Sequence, residues 1–366
     1  MRGCDDSRKL ISRRTKEDGV QEMDARRRQL LTLAAAASAM QFTRPASAAS
    51  TGKTTRVSIA LAAKQSLYHL PLTLAEQLGF FRQLGLSVEF LAHDAGAHAM
   101  ASLASGQADV AAGAFEHVFN PNPSAHKHQA FVLMGRSPQV SMGISSRLAR
   151  VKSLAELKGA KVGVTSLGSS THTMASQWLM MHGVLPEDVS FVEVGSSSSV
   201  WDTLRSGGID VLCNPDPIMH WLEMRNEVLL VGEARSLQGA QQVMGGAVPG
   251  ASLIAREEFL QRQPEVAQAL ADGVVHALKW LQTAGPTDLF RSVPSTYWMN
   301  DRAAYLGAFE KLRESYAIDG VIQEATVLNL WRAQARLTGR LQTSRALLAR
   351  TFSNKFALQS KRKFKA

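Results

Sequence analysis

Cysteine is scarce: the 366-residue chain has two, Cys4 and Cys213. Two thiols build neither a disulfide framework nor a four-cysteine zinc site. If Cys4 leaves with the N-terminal segment discussed below, Cys213 has no internal partner. It follows Val211 and Leu212 in an apolar run, where a buried, inert thiol is expected. Aromatics make up 7% and charged residues 20%, a balance that excludes collagen, coiled coil and bulk disorder. Long apolar runs are missing as well. No segment reaches the roughly 20 residues of a membrane-spanning helix. His69, His93, His98, His117, His126, His128 and His172 show no metal-ligand spacing, so neither a metal nor a cofactor is expected. What is present is a hydrophobic content of 45%, enough for one large or two medium domains.

The formal charge of +10 looks at first like a nucleic-acid signal. Its distribution argues against that. Residues 1–48 carry ten Lys/Arg against six Asp/Glu, and residues 345–366 carry seven Lys/Arg with no acid. Residues 49–344 are then left at −1. A nucleic-acid binder would place its basic face on the folded domain, so no nucleic-acid partner is expected.

The basic N-terminal stretch reads as an address. Met23 precedes Arg26-Arg27-Arg28, then an alanine-rich apolar run from Leu30 to Met40, then Ala46-Ser47-Ala48. Basic region, short apolar region and A-x-A site follow the order of a secretory signal. Arg27-Arg28 resembles a twin-arginine signal, although Gln29-Leu30-Leu31 only approximates the usual continuation, and Sec export stays open. No cysteine follows the apolar run, which argues against a lipid anchor. Met23 is the expected start, residues 1–48 the leader, and the periplasm the expected location.

From Arg56 the chain alternates strand-like and helix-like segments with short connections, the pattern of an α/β protein with largely parallel sheets. An internal echo points to one unit used twice. Leu103-Ala-Ser105-Gly106-Gln-Ala-Asp109-Val110 and Leu204-Arg-Ser206-Gly207-Gly-Ile-Asp210-Val211 share L-x-S-G-x-x-D-V, 101 residues apart. Pro264 should break the helical stretch 257–283 in two. The last residues are expected to be a solvated, frayed basic tail.

Four stretches carry a family likeness: Leu70 to Glu89, Ser102 to Val110, Leu154 to Thr165 with Gly168-Ser169-Ser170-Thr171-His172, and Asn214-Pro215-Asp216-Pro217. In this order they resemble the sulfonate-, taurine- and nitrate-binding proteins of ABC importers, the NMT1/THI5-like group. The resemblance covers about residues 57–281. It implies a type II periplasmic-binding-protein fold, two α/β lobes joined by a two-strand hinge. Lobe 1 would be residues 56–146 plus 248–345, lobe 2 residues 147–247, and 346–366 a basic tail. It also implies a monomeric receptor, not an enzyme, that hands a small solute to a permease with its ATPase. Pyrimidine-synthesising members of the group use a lysine-bound pyridoxal cofactor and a cysteine-rich motif, which this chain lacks. Binding of a pyrimidine precursor, or a periplasmic sensor role, remains the alternative.

Ligands in open α/β sheets sit beyond the carboxyl ends of strands. That rule selects the turn after Lys161–Thr165, where Gly168 permits close approach and Ser169, Ser170 and Thr171 open a helix whose free N–H groups suit an anion. A plain N-cap is the competing reading. The matching first-lobe turn offers Gln65, Ser66 and Tyr68, and the next strand end offers Phe115 and Glu116. Asp216 can either meet a ligand or cap the helix after it. Trp201 and Trp221 are candidates for the cleft wall, with a core role favoured for Trp221, which sits in an apolar helical pattern. Gly245 to Gly250 is a candidate hinge segment.

Overall fold

Ten strands form two five-stranded sheets of the same plan. A computed structural model describes residues 54–119, 127–148, 150–151, 153–339 and 345–366. The expected leader lies outside these residues, as does His126. The first sheet holds β1 (Thr55–Ala62), β2 (Leu86–His93), β3 (Val110–Ala114), β4 (His128–Leu133) and β10 (Ala251–Arg256), ordered β2-β1-β3-β10-β4. The second holds β5 (Val140–Ser145), β6 (Lys161–Val164), β7 (Ser190–Glu193), β8 (Val211–Pro215) and β9 (Val228–Glu233), ordered β7-β6-β8-β5-β9. In each, the first three strands of that order run parallel and the fourth, β10 or β5, pairs antiparallel with both its neighbours.

The sequence echo has a physical cause at every shared position. The helices Gly96–Ser105 and Val200–Ser206 end on Gly106 and Gly207, both left-handed at φ 80° and 82°, where a side chain would be strained. Leu103 and Leu204 are buried against the sheets. The hydroxyls of Ser105 and Ser206 each donate to a carbonyl three residues back. Asp109 accepts the Ser58 N–H at 2.8 Å and Asp210 the Lys161 N–H at 2.9 Å, each fixing the neighbouring central strand. Val110 and Val211 then start buried strands.

Helices pack around these sheets. In chain order they are α1 (Leu70–Gln77), α2 (Phe80–Gln83), α3 (Gly96–Ser105), α4 (Ser170–Met181), α5 (Val200–Ser206), α6 (Ile218–Met224), α7 (Leu237–Met244), α8 (Glu257–Arg262) and α9 (Pro264–Thr283). Then follow α10 (Pro286–Ser292), α11 (Arg302–Leu312), α12 (Glu324–Thr338), α13 (Arg345–Leu348) and α14 (Lys355–Phe364). Pro264 does start a new helix, at the first helical position, where its missing N–H costs nothing. The last helix corrects an expectation. The basic tail is not frayed: α14 lies on α9, with Phe356 and Ala357 buried and the Ser360 hydroxyl donating to Asp272 at 2.6 Å. Two of its lysines tie it down further, Lys363 to Asp272 at 2.5 Å and Lys361 to Asp319 at 2.7 Å.

The chain crosses between lobes twice, through 134–139 and 234–250. β5 therefore belongs to the second sheet, and the boundary expected at residue 146 moves to 134–139. The crossings bond to each other: Gly250 N–H donates to Gly135 O at 2.8 Å and Gln139 N–H to Ala234 O at 2.9 Å.

Candidate functional site

Both sheets end their parallel strands on the same gap, and the crossings close its floor. At its inner end lies a cavity of about 40 Å³, room for a group of a few atoms. It is bounded by the ends of β1 and β3, by the turn after β6, and by Val140 and Pro215 of the second sheet. Three first-lobe side chains set its chemistry: Tyr68, His69 and His117. The Tyr68 hydroxyl and His69 Nδ1 are buried with no partner in the protein, an arrangement that costs free energy unless a solute or water answers it.

The opposite wall is the turn from β6 into α4. Thr171 Oγ1 accepts the Thr165 N–H at 2.9 Å, and Ser170 and Thr171 both face the cavity. α4 is 12 residues long and Ser169 does not cap it through its side chain, so its first N–H groups stay available to an acceptor. Ser169 itself is spent: its hydroxyl donates to Ser166 O at 2.7 Å and meets Thr165 Oγ1 at 2.7 Å. Gly168 is left-handed at φ 77° and its N–H donates to His172 Nδ1. Neither Ser169 nor Gly168 lines the cavity.

The remaining candidates divide. Gln65 and Ser66 sit on the rim of a second, wider cavity of about 690 Å³. Ser66, Ser196 and Pro215 line both cavities, so the two adjoin. Ser66 is also a contact between lobes, its hydroxyl donating to Asp216 O at 3.1 Å while accepting the Tyr68 N–H at 3.3 Å. Phe115 does not face the cleft. It is fully buried and packs on Phe119 and Phe352, because β3 ends with that position turned into the lobe core. Trp221, expected in the core, instead lines the wide cavity with Trp201, their rings edge to face at 5.5 Å.

Asp216 lines the wide cavity but is engaged by the protein. Its Oδ1 accepts the His220 N–H at 2.8 Å, capping α6, and its Oδ2 lies 3.6 Å from Arg235 Nη1. Burial pushes its carboxyl up, against the opposing pull of Arg235 and the His220 N–H. Arg235 also meets Glu223 at 3.1 Å, which in turn takes Lys311 of α11 at 2.8 Å. Burial raises Glu223, but Lys311 and Arg235 bring it below the usual carboxylate range.

Glu116 stands beside the inner cavity and reaches Thr173 of α4 across the gap, with its Oε1 buried and unpartnered. Burial pushes its pKa up to about 7, while burial pushes His69 and His117 down to about 4. The signs oppose. A folded-state carboxyl raised above its unfolded value stabilises at low pH, and that contribution is lost as pH rises from about 4.5 through 7. The histidines, depressed in the fold, contribute stability above their ordinary 6.5 that is lost as pH falls toward 4. Comparing Glu116→Gln with the parent isolates the first effect. The variant should gain stability relative to the parent between pH 5 and pH 8, by up to about 3 kcal/mol. Melting curves across that range check this; a gap independent of pH would remove Glu116 from the buried set.

Cys213 is fully buried and burial raises its thiol, which leaves no reactive thiolate here. Among the described residues no group of three His, Cys, Asp or Glu side chains is placed to hold a metal, and no helix is long and apolar enough to cross a membrane.

The NMT1/THI5-like family model matches residues 66–284, which include every strand except β1. The chain belongs to the NMT1/THI5-like family. A solved structure from Bordetella bronchiseptica RB50 is 35% identical, with a TM-score of 0.81 over 86% of this chain and 99% of that one. The periplasmic nitrate-binding protein NrtA from Synechocystis PCC 6803 is 12% identical, TM-score 0.69, over 86% and 90%. The alkanesulfonate-binding protein SsuA from Xanthomonas axonopodis pv. citri, bound to MOPS, is 14% identical, TM-score 0.57, over 82% and 98%. These likenesses establish the periplasmic-binding-protein fold. A desulfurization enzyme, DSZB, shares it at 14% identity and TM-score 0.56, over 84% of this chain and 100% of that one, so the fold alone does not separate binding from catalysis. No curated protein matches the sequence. Within this NMT1/THI5-like chain, sequence reasoning missed His69, His117, Tyr297 and Met299. The strand-end rule that selected Tyr68 and Glu116 reaches their neighbours His69 and His117 if read one residue further. Nothing local marks Tyr297 and Met299.

Proposed function

We propose that this protein is a periplasmic solute-binding receptor that captures a small organic solute with a carboxylate- or sulfonate-like head and delivers it to an ABC importer. The observation that carries this reading is the inner cavity between two lobes, where the Tyr68 hydroxyl and the start of α4 converge with donors that lack acceptors. An oxyanion head would accept from the hydroxyls of Tyr68 and Ser170 and from the α4 N–H groups, while the Thr171 hydroxyl, 2.8 Å from Thr165 Oγ1, holds the turn in place. Among the described residues no lysine or arginine lines either cavity, and the head would be held by dipoles and hydrogen bonds. The nitrate- and alkanesulfonate-binding relatives support an oxyanion head. Closing the lobes adds the α4 contacts to the Tyr68 wall, and that difference in affinity is what drives closure. The arrangement offers no nucleophile with a base, which favours capture over turnover.

Isothermal titration and thermal-shift screening of the purified chain against carboxylates, sulfonates and nitrate test this. A solute at 100 times its dissociation constant should add about 2.7 kcal/mol of stability. It should bind one to one and be recovered unchanged. Tyr68→Phe removes one donor and should weaken binding roughly tenfold. Conversion of the solute to a product would replace this reading with an enzymatic one.

A further inference from the structure

The wide cavity is far larger than an oxyanion needs. At about 690 Å³ it adjoins the inner cavity of about 40 Å³ through Ser66, Ser196 and Pro215. A nitrate or a methanesulfonate would fill the inner end and leave the outer one to water. The outer walls are built for something else. Trp201 and Trp221 stand edge to face, and each is fixed by an arginine over its ring, Arg205 at 4.7 Å and Arg225 at 4.0 Å. Trp201 Nε1 is buried with no partner in the protein.

The facing wall comes from the other lobe. The segment Ser295–Asn300 brings Tyr297 and Met299 to the cavity, and Met299 packs against the same cluster as the two tryptophans. Met299 and Asn300 hold left-handed backbones at φ 51° and 57°, a conformation that non-glycine residues adopt only under constraint. Asp301 anchors the segment, accepting the Ala304 N–H at 2.9 Å and Arg225 at 2.8 Å across the lobes. The result is a slot of mixed lining that both lobes complete: an aromatic wall of Trp201, Trp221, Tyr297 and Met299, with serines, Asp202 and Asn300 around it, opening on the small head pocket.

We propose that the solute is an aromatic acid: a carboxylate or sulfonate head in the inner cavity, and an arene against the tryptophans and Met299. This rests on the capture reading above and specifies its substrate class. Edge-to-face packing of an arene on fixed indoles is favourable, and the polar residues around that aromatic wall leave hydrogen-bonding groups for substituents of the ring.

The test is titration calorimetry of the purified chain with matched pairs sharing a head: benzoate against acetate, phenylacetate against propionate, and benzenesulfonate against methanesulfonate. The aryl member should bind at least tenfold tighter in one or more pairs. Trp201→Ala should abolish that preference by weakening the aryl member at least tenfold more than its small partner, and Trp201→Phe should restore much of it. Unchanged melting temperatures for the variants separate lost contact from lost fold. Equal affinity within every pair, or a Trp201→Ala variant that keeps the preference, overturns the aromatic assignment and leaves capture standing. Binding of none of the acids overturns both.

Discussion

Replacing Arg235 by methionine should cost about 3–5 kcal/mol of stability, the range for removing one partner of a buried ion pair. Arg235 is 3% exposed and is the nearest cation to Asp216, which is equally enclosed. Without the guanidinium, Asp216 keeps only the His220 N–H against the full cost of a buried charge. Two further outcomes tie the loss to that charge. Asp216→Asn in the Arg235→Met background should recover a large part of it, a coupling that independent sites would not show. The loss should also shrink on acidification. Burial already raises Asp216, and losing Arg235 raises it further, so protonation neutralises the orphan as pH falls through the folded value. Chemical denaturation at pH 5 and pH 8 of the parent, single and double variants checks all three. The functional consequence is local. Glu223 links this network to Lys311 of α11 in the other lobe, and Asp216 accepts from Ser66 and from the Leu67 N–H. The cluster is thus a clasp beside the cavities, and loosening it should weaken solute retention as well.

Much of the fold was legible because its signals are local. The repeated L-x-S-G-x-x-D-V reports a helix end, a left-handed glycine and a strand start, all decided within eight residues. What failed was non-local. Val140–Ser145 reads as a strand whichever sheet it joins, and only pairing with β8 and β9 assigns it to the second lobe. In the last helix, Phe356, Ser360 and Phe364 follow helical spacing, but four basic residues among positions 361–365 hid that apolar stripe. The site divides the same way. Strand ends pointed to Tyr68, Ser170 and Thr171, which line the inner cavity, and to Glu116, which lines neither cavity. They could not say that Ser169 turns inward to Thr165 while its neighbours face the gap, since a helix start fixes backbone N–H directions and leaves the hydroxyls to packing. Tyr297 and Met299 come from a segment more than 90 residues beyond Trp201, and no spacing rule links them to it.

The hinge supplies the second large effect. Gly250→Ala should destabilise the protein by about 3 kcal/mol or more, at the upper end for overpacking. A β-carbon there would lie 1.9 Å from the Ser137 carbonyl oxygen, with the Gly135 carbonyl oxygen at 3.2 Å. Both neighbours are backbone, so no side chain can swing away. The two crossings must part instead, breaking the Gly250 N–H to Gly135 O bond and straining Phe115 N–H to Gly250 O. Those bonds hold the crossings together at the floor of the gap, so separation there changes the angle at which Tyr68 and α4 face one another. Solute affinity should therefore fall along with stability, and it should fall even below the melting temperature. A variant that folded with parental stability would mean that the crossings have slack this packing does not show. A variant that lost stability but kept affinity would separate the hinge from closure. The contrast with Glu116→Gln sharpens the point: that change alters a contact across the gap and should show its effect mainly through pH, whereas Gly250→Ala alters the pivot and should act at every pH.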